Sequence, residues 1–153
     1  LYIAAGFGQV VAARATLAGA EGGCQAEVGA ASGMAAAALV DIKGGTAEQC
    51  AEAFAMALTN LEGLVCDPVA GLVEIPCIKR NAVGVSNAFA AADMALAGIA
   101  SRIPPDEVVD ALINVQGLLH PDLRGNLRGG LASTATGRAL KDEWYARMKR
   151  MQA

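Results

Sequence analysis

Aromatic side chains are scarce in this chain: three Phe, two Tyr and one Trp make up 4% of its 153 residues. With so few rings, the 54% of residues that are hydrophobic must build a core mainly from Ala, Leu, Val, Ile and Met. Closely packed helices make cores of that kind. Strand patterns are missing as well, since no run of Val, Ile or Thr alternates with polar residues. Fixed-period repeats and low-complexity linkers are also lacking. These absences predict an all-α fold, a compact bundle of about six Ala-rich helices with cysteine-bearing loops. At 153 residues the chain fits a single helical domain over 1–153, long enough to bury a real core.

Clustered positive charge is absent too. The 12 Lys and Arg residues are scattered apart from Arg147, Lys149 and Arg150, and the net charge is −3. Nucleic-acid binding would want a basic stripe, so no nucleic-acid partner is expected. The longest uncharged runs, Leu1 to Ala13 and Val28 to Val40, fall short of the roughly 18 apolar residues that cross a bilayer, so no membrane partner is expected either. No charged start with a small-residue cleavage site marks a signal peptide. Four cysteines spread through a helix-rich chain do not resemble a secreted disulfide scaffold, and a reducing cytoplasm suits them better. The chain opens Leu1-Tyr2-Ile3 inside an apolar helical pattern, and is expected to be a fragment of a longer catalytic chain.

Leu1 to Ala18 predicts a buried helix ended by Gly19 to Gly23. A second runs from Cys24 to Val40, with Val28, Met34, Leu39 and a run of alanines, and is closed by Asp41-Ile42-Lys43-Gly44-Gly45. Thr46 with Gln49 forms a capping box that starts a third helix, reaching about Leu64. Two prolines and a glycine forbid a continuous helix between Val65 and Cys77. A fourth helix, from about Ile78 to Ala100, is expected to pack Val83, Val85, Phe89, Met94 and Leu96. Pro104-Pro105-Asp106 starts a fifth, because proline suits a first helical turn and Asp complements its dipole. Gly117 to Gly137 is glycine-rich and mostly irregular, and Arg138 to Met151 closes the chain as a helix.

Three of the four cysteines stand beside glycine or proline, in Gly22-Gly23-Cys24, Cys66-Asp67-Pro68 and Pro76-Cys77. A cysteine buried as a small hydrophobe belongs in mid-helix and needs no such neighbours. Cys50, inside Ala47-Glu48-Gln49-Cys50-Ala51-Glu52-Ala53, has that bland setting and is expected in the core. Cys24, Cys66 and Cys77 are expected to be ligands of a metal centre that leaves one position free for substrate. Thiolate is a soft donor, selecting Fe–S clusters, Zn or Cu(I) over Mg or Ca. There is no Cys-x2-Cys pair and a single histidine, so a closed zinc site would need Cys50 or His120 in addition. A cubane is wide and its corners can be reached from separate loops, which makes an iron-sulfur cluster the sharper reading. Backbone N–H groups near helix starts would steady the cluster sulfurs, and Gly23 and Gly71 would let the backbone approach the inorganic core.

The text around these cysteines is distinctive. Gly22-Gly23-Cys24-Gln25-Ala26-Glu27-Val28-Gly29, and the long segment from Gly63-Leu64-Val65-Cys66-Asp67-Pro68 through Ile75-Pro76-Cys77-Ile78-Lys79-Arg80-Asn81-Ala82, closely resemble the signature segments of bacterial iron-sulfur-dependent L-serine dehydratase, in its α chain or catalytic domain. The likeness continues more loosely through Gly129-Gly130-Leu131-Ala132-Ser133-Thr134-Ala135-Thr136-Gly137, where Ala135 stands in place of an expected proline. The resemblance implies a pyridoxal-independent lyase that degrades L-serine to pyruvate and ammonia on a [4Fe–4S] cluster held by Cys24, Cys66 and Cys77. It further implies that an iron without a protein thiolate acts as Lewis acid on the β-hydroxyl. A second domain or subunit of the same enzyme and a homo-oligomer are the implied partners.

Lys79, Arg80 and Asn81 follow Cys77 directly and would set cationic and amide donors where a substrate carboxylate sits, Arg80 being the better clamp for its planar fork. Ordinary surface charge at a helix start is the bland alternative. Glu27, three residues beyond Cys24, would share its face and orient a neighbour, or simply complement a helix dipole. Asp67 is expected to be a turn or cap residue, and lone His120 a structural one. Two other readings remain open: a related Fe–S lyase acting on threonine or cysteine, and a helical assembly module with a structural metal or none.

Overall fold

The computed structural model describes residues 1–152. Seven α-helices follow one another: α1 (Tyr2–Arg14), α2 (Gly19–Gly22), α3 (Ala30–Ile42), α4 (Ala47–Thr59), α5 (Cys77–Leu96), α6 (Pro105–Leu118) and α7 (Ala135–Gln152). A π-helical stretch, Gln25–Gly29, runs into α3, and short 3-10 turns occupy Val69–Gly71, Pro121–Leu123 and Gly130–Ser133. No strand forms among the described residues, so the all-α expectation holds. One isolated bridge pairs Cys66 with Arg124.

Local chemistry accounts for most boundaries. The capping box is present, Gln49 N donating to Thr46 Oγ1 at 3.2 Å and Thr46 N to Gln49 Oε1 at 3.0 Å. Pro105 occupies the first turn of α6 with Asp106 and Glu107 beside it. The first helix ends at Arg14 rather than Ala18, because Thr16 Oγ1 accepts the Ala18 N–H and donates to Glu21, turning the chain. Gly19 to Gly22, expected as a break, makes one helical turn instead and accounts for the seventh helix. The helix capped by Thr46 stops at Thr59, short of Leu64, in a turn through Gly63 at φ +82°. The long fourth helix of the sequence begins at Cys77 itself and ends at Leu96, where Gly98 adopts φ +84°.

The main core joins α1, α3, α4, α5 and α6 through Val11, Val40, Phe54, Leu58, Val108, Val109, Leu112 and many alanines. Phe7 and Phe54 stack with centroids 4.7 Å apart, which places two of the three phenylalanines in one contact. Phe54 lies on α3 because Gly33 has no side chain; a Cβ there would stand 2.8 Å from Phe54 Cδ2. Cys50 is 4% exposed within this core, as its mid-helix setting implied.

The expected packing face of α5 needs correction. Val83, Val85 and Phe89 are 56%, 57% and 48% exposed, while Gly84, Ala88, Ala91, Ala92 and Ala95 are buried. Only Met94 and Leu96 of the expected set pack against the core, and partly. Proximity of α3 and the π-helical stretch before it explains the reversal, since a Cβ on Gly84 would stand 2.9 Å from Val28 Cγ1 and Ser32 Oγ of α3 donates to Gly84 O at 2.7 Å. Where helices approach that closely, small residues take the contact and large ones turn outward. No helix is long and apolar enough to cross a membrane among the described residues.

Candidate functional site

Cys24 precedes the π-helical stretch in right-handed helical geometry and is 2% exposed. Such stretches are frequent at functional sites. Gly23 enters it at φ +80°, and a side chain there would meet Leu64 O at 2.8 Å. Gln25, fully buried, staples this segment to the residues ahead of Cys66: Gly63 N donates to its Oε1 at 2.8 Å, and Gln25 N donates to Leu64 O at 2.9 Å. Its Nε2 donates to Gly22 O at 2.9 Å.

Cys66 is held from the other side by the irregular segment after α6. Cys66 N donates to Leu123 O at 2.9 Å and Gly125 N donates to Cys66 O at 2.7 Å. Gly125, at φ +76°, lies so close that a Cβ would stand 3.3 Å from Cys66 Sγ. Between Cys66 and Cys77 the chain doubles back through Ala70 (φ 56°) and Gly71 (φ 77°), closed by Val69 N to Ile75 O at 2.9 Å and Ile78 N to Val73 O at 2.9 Å. Cys77 therefore sits at the first residue of α5 rather than in a loop, and is half-buried.

The three sulfurs share one electrostatic neighbourhood. Cys24 and Cys66 pack together with Val28 in a small cluster apart from the main core. Burial pushes the Cys66 thiol up to about 12, with Cys24, Cys77 and Glu27 adding to the rise. The Cys77 thiol is raised by burial, then by Cys24 and Glu27, against a lowering effect of Arg80. Anionic sulfur is thus disfavoured at Cys66 and Cys77. Cys50 takes no part in this neighbourhood; its thiol is raised by its own burial and by Asp41.

Arg80 is the cation nearest the thiols. Its Nη1 donates to Asp67 Oδ1 at 2.7 Å and to Val65 O at 2.8 Å, and faces Cys24 Sγ at 3.7 Å. Burial works against the guanidinium charge but is outweighed by Asp67 and Cys24, so its pKa lies above its ordinary value. Lys79 and Asn81 are exposed. Asn81 lines a cleft of about 140 Å³ between α3 and α5 with Val28, Ser32 and Gly84. Glu27 is exposed, its carboxylate lying where a Cβ on Gly19 would come within 2.5 Å. His120 is distant in role: its Nδ1 accepts the Asp122 N–H at 3.2 Å and caps the 3-10 turn after it.

The sequence left Gln25, Arg124 and Gly125 without a role in this site and gave Asp67 only that of a turn or cap residue, whereas Asp67 is buried and paired with Arg80. Gln25 and Asp67 are polar yet 0% and 4% exposed. Arg124 donates to Gln116 O at 2.6 Å and to Leu119 O at 2.8 Å, fastening the end of α6 beside the Cys66 bridge. Gly125 completes the set. The adjacency Cys24-Gln25 and Cys66-Asp67 was the available signal, since a polar residue next to a buried cysteine needs partners of its own. Among the described residues no group of three His, Cys, Asp or Glu side chains is placed to hold a single metal ion.

Comparison with known proteins yields a consistent result. A family model described as serine dehydratase alpha chain matches residues 1–132. The probable L-serine dehydratase, alpha chain, of Bacillus subtilis is 63% identical over 145 residues, covering 95% of this chain and 48% of the relative. The corresponding protein of Latilactobacillus sakei is 60% identical over 141 residues, 92% of this chain and 68% of the relative. The L-serine dehydratase, alpha chain, of Peptoniphilus asaccharolyticus is 54% identical over 139 residues, 91% of this chain and 48% of the relative. The chain spans about half the length of the first and third of these.

Proposed function

The chain belongs to the serine dehydratase alpha chain family, and from that premise we propose that it supplies the cluster-holding part of an enzyme converting L-serine to pyruvate and ammonia. Cys24, Cys66 and Cys77 would hold a [4Fe–4S] cluster. The observation that carries this reading is the shared, desolvated neighbourhood of three thiols drawn from three separate segments.

The donor set and its surroundings fit the group. Burial holds the Cys66 and Cys77 thiols protonated, and a bound cationic core would compensate their charge, with release of protons on binding. The missing side chain at Gly125 keeps the space beside Cys66 Sγ open. When bound, such a cluster supplies Lewis acidity toward the hydroxyl that leaves.

The chain's own residues do the rest. Arg80 Nη1 donates toward Cys24 Sγ across 3.7 Å. That Nη1 is engaged by Asp67 and Val65, so Arg80 would meet a substrate carboxylate through its other guanidinium nitrogens, with exposed Lys79 and Asn81 on either side of it in sequence. Remaining parts of the enzyme, in the same chain or a companion subunit, would complete the pocket, in the cytoplasm and without pyridoxal phosphate.

Anaerobic reconstitution with iron and sulfide tests the reading. A brown protein with broad visible absorbance is expected, lost in Cys24→Ser, Cys66→Ser and Cys77→Ser and kept in Cys50→Ser. A colourless product binding stoichiometric zinc would refute it. Assay of the complete enzyme on L-serine, L-threonine and L-cysteine decides the substrate, with serine expected to be preferred.

A further inference from the structure

Asp67 and Arg80 form the most buried ion pair among the described residues, their side chains 4% and 18% exposed. Asp67 has two carboxylate oxygens and uses them in different directions. Oδ1 accepts from Arg80 Nη1 at 2.7 Å, and Oδ2 accepts the Leu131 N–H at 2.8 Å. Gly130, at φ +57°, lets the backbone reach this carboxylate, since a Cβ there would clash with Asp67 Oδ2. The Gly129–Ser133 tract therefore ends on the same side chain that anchors the cation beside Cys24.

We propose that Asp67 is a positioning residue of the thiol site, holding Arg80 Nη1 against Cys24 Sγ with one oxygen and fastening the 129–131 backbone with the other. Its chemical meaning rests on the cluster reading above, whereas the ties themselves are geometric. Arg80 can face Cys24 only while its single engaged nitrogen is kept in place, and Asp67 is the charged group that keeps it. Loss of either partner strands the other, because a buried charge without its counterion is strongly unfavourable. Since all three Arg80 contacts run through Nη1, a lysine ammonium can replace them, and the planar fork is not required.

Two measurements on the complete enzyme test this. The first is the rate at which a chelator strips iron from the reconstituted protein. Asp67→Asn and Arg80→Gln should each release iron about tenfold faster, the scale on which outer-shell partners affect metal affinity. The double variant should be no faster than the worse single one, and Arg80→Lys should stay within about threefold of the parent. Asp67→Asn retaining iron like the parent, or single effects that multiply, would overturn the role. The second measurement is amide exchange at Leu131 in the iron-free protein. Arg80→Gln should speed it at least tenfold although Arg80 does not touch Leu131, while the surface variant Lys43→Gln should leave it unchanged. Unchanged exchange in Arg80→Gln would break the coupling. A protein that shows this coupling but takes up no iron and sulfide would refute the cluster reading and leave the tie standing.

Discussion

At the scale of single residues, glycines and thiols make the sharpest predictions. Gly125→Ala puts a methyl group about 3.3 Å from Cys66 Sγ and forces an L residue to φ +76°. The conformational cost alone is about 1–2 kcal/mol, so its melting temperature should fall by a few degrees and, on the cluster proposal, the iron taken up on reconstitution should drop with it. Full iron content in Gly125→Ala would argue against the open space beside Cys66. Cys66 also carries a pH signature. In the iron-free fold its thiol is pushed up to about 12, chiefly by burial, against an ordinary 9.0 in the unfolded chain. The unfolded chain therefore loses this proton first. The contribution is intact below pH 9 and is lost as pH climbs from 9 toward 12. Urea midpoints measured across that window should decline, and Cys66→Ser should flatten the decline; equal slopes would contradict the assignment. The grouping of Cys24, Cys66 and Cys77 apart from buried Cys50 was legible because glycine, proline and an unbroken alanine helix are local marks. The ties of Asp67 and Gln25 were not, because their adjacency to buried cysteines marks a need for partners without naming them, and those partners include backbone groups 64 and 38 positions away.

At the scale of elements, helix starts were easier to read than helix ends. The Thr46-Gln49 box and Pro105 with its acidic neighbours are written into consecutive residues, whereas stops at Arg14, Thr59 and Leu96 depend on where the chain must turn to pack. Thr46→Ala should cost about 1 kcal/mol through its lost cap, visible as a lower thermal midpoint. Ala135 offers the reverse change. It is the first residue of α7, and Thr134 before it is already extended at φ −69°, ψ 158°, the geometry that precedes proline. Ala135→Pro should therefore stabilise the chain by about 0.4–1 kcal/mol; a lower melting temperature would show that the helix start cannot take the ring. The outward valines of α5 were misjudged for a related reason. Large apolar residues signal a core only where the neighbouring helix stands far enough away to receive them, and α3 stands close.

At the scale of the whole molecule, the fold brings residues 24, 66, 77, 80, 125 and 131 to one place, while α1 pairs with α6 on the surface through Arg14 and the carboxylates of Asp106 and Asp110. Exposed ion pairs of that sort contribute little each, so cohesion comes from the alanine-rich core. The chain spans about half of its Bacillus subtilis relative. The isolated 153-residue chain is expected to show no serine deamination, and coexpression with the remainder of the enzyme to restore pyruvate formation; turnover by the isolated chain would disprove the need for further parts. The Asp67 carboxylate, tied to a backbone N–H 64 residues later, also bears on biosynthesis. A nascent polypeptide emerging from the ribosome displays all three thiols long before residue 131 leaves the exit tunnel. Until residue 131 is free the Asp67 carboxylate lacks this partner, so the tie forms only after every thiol-bearing segment is already outside.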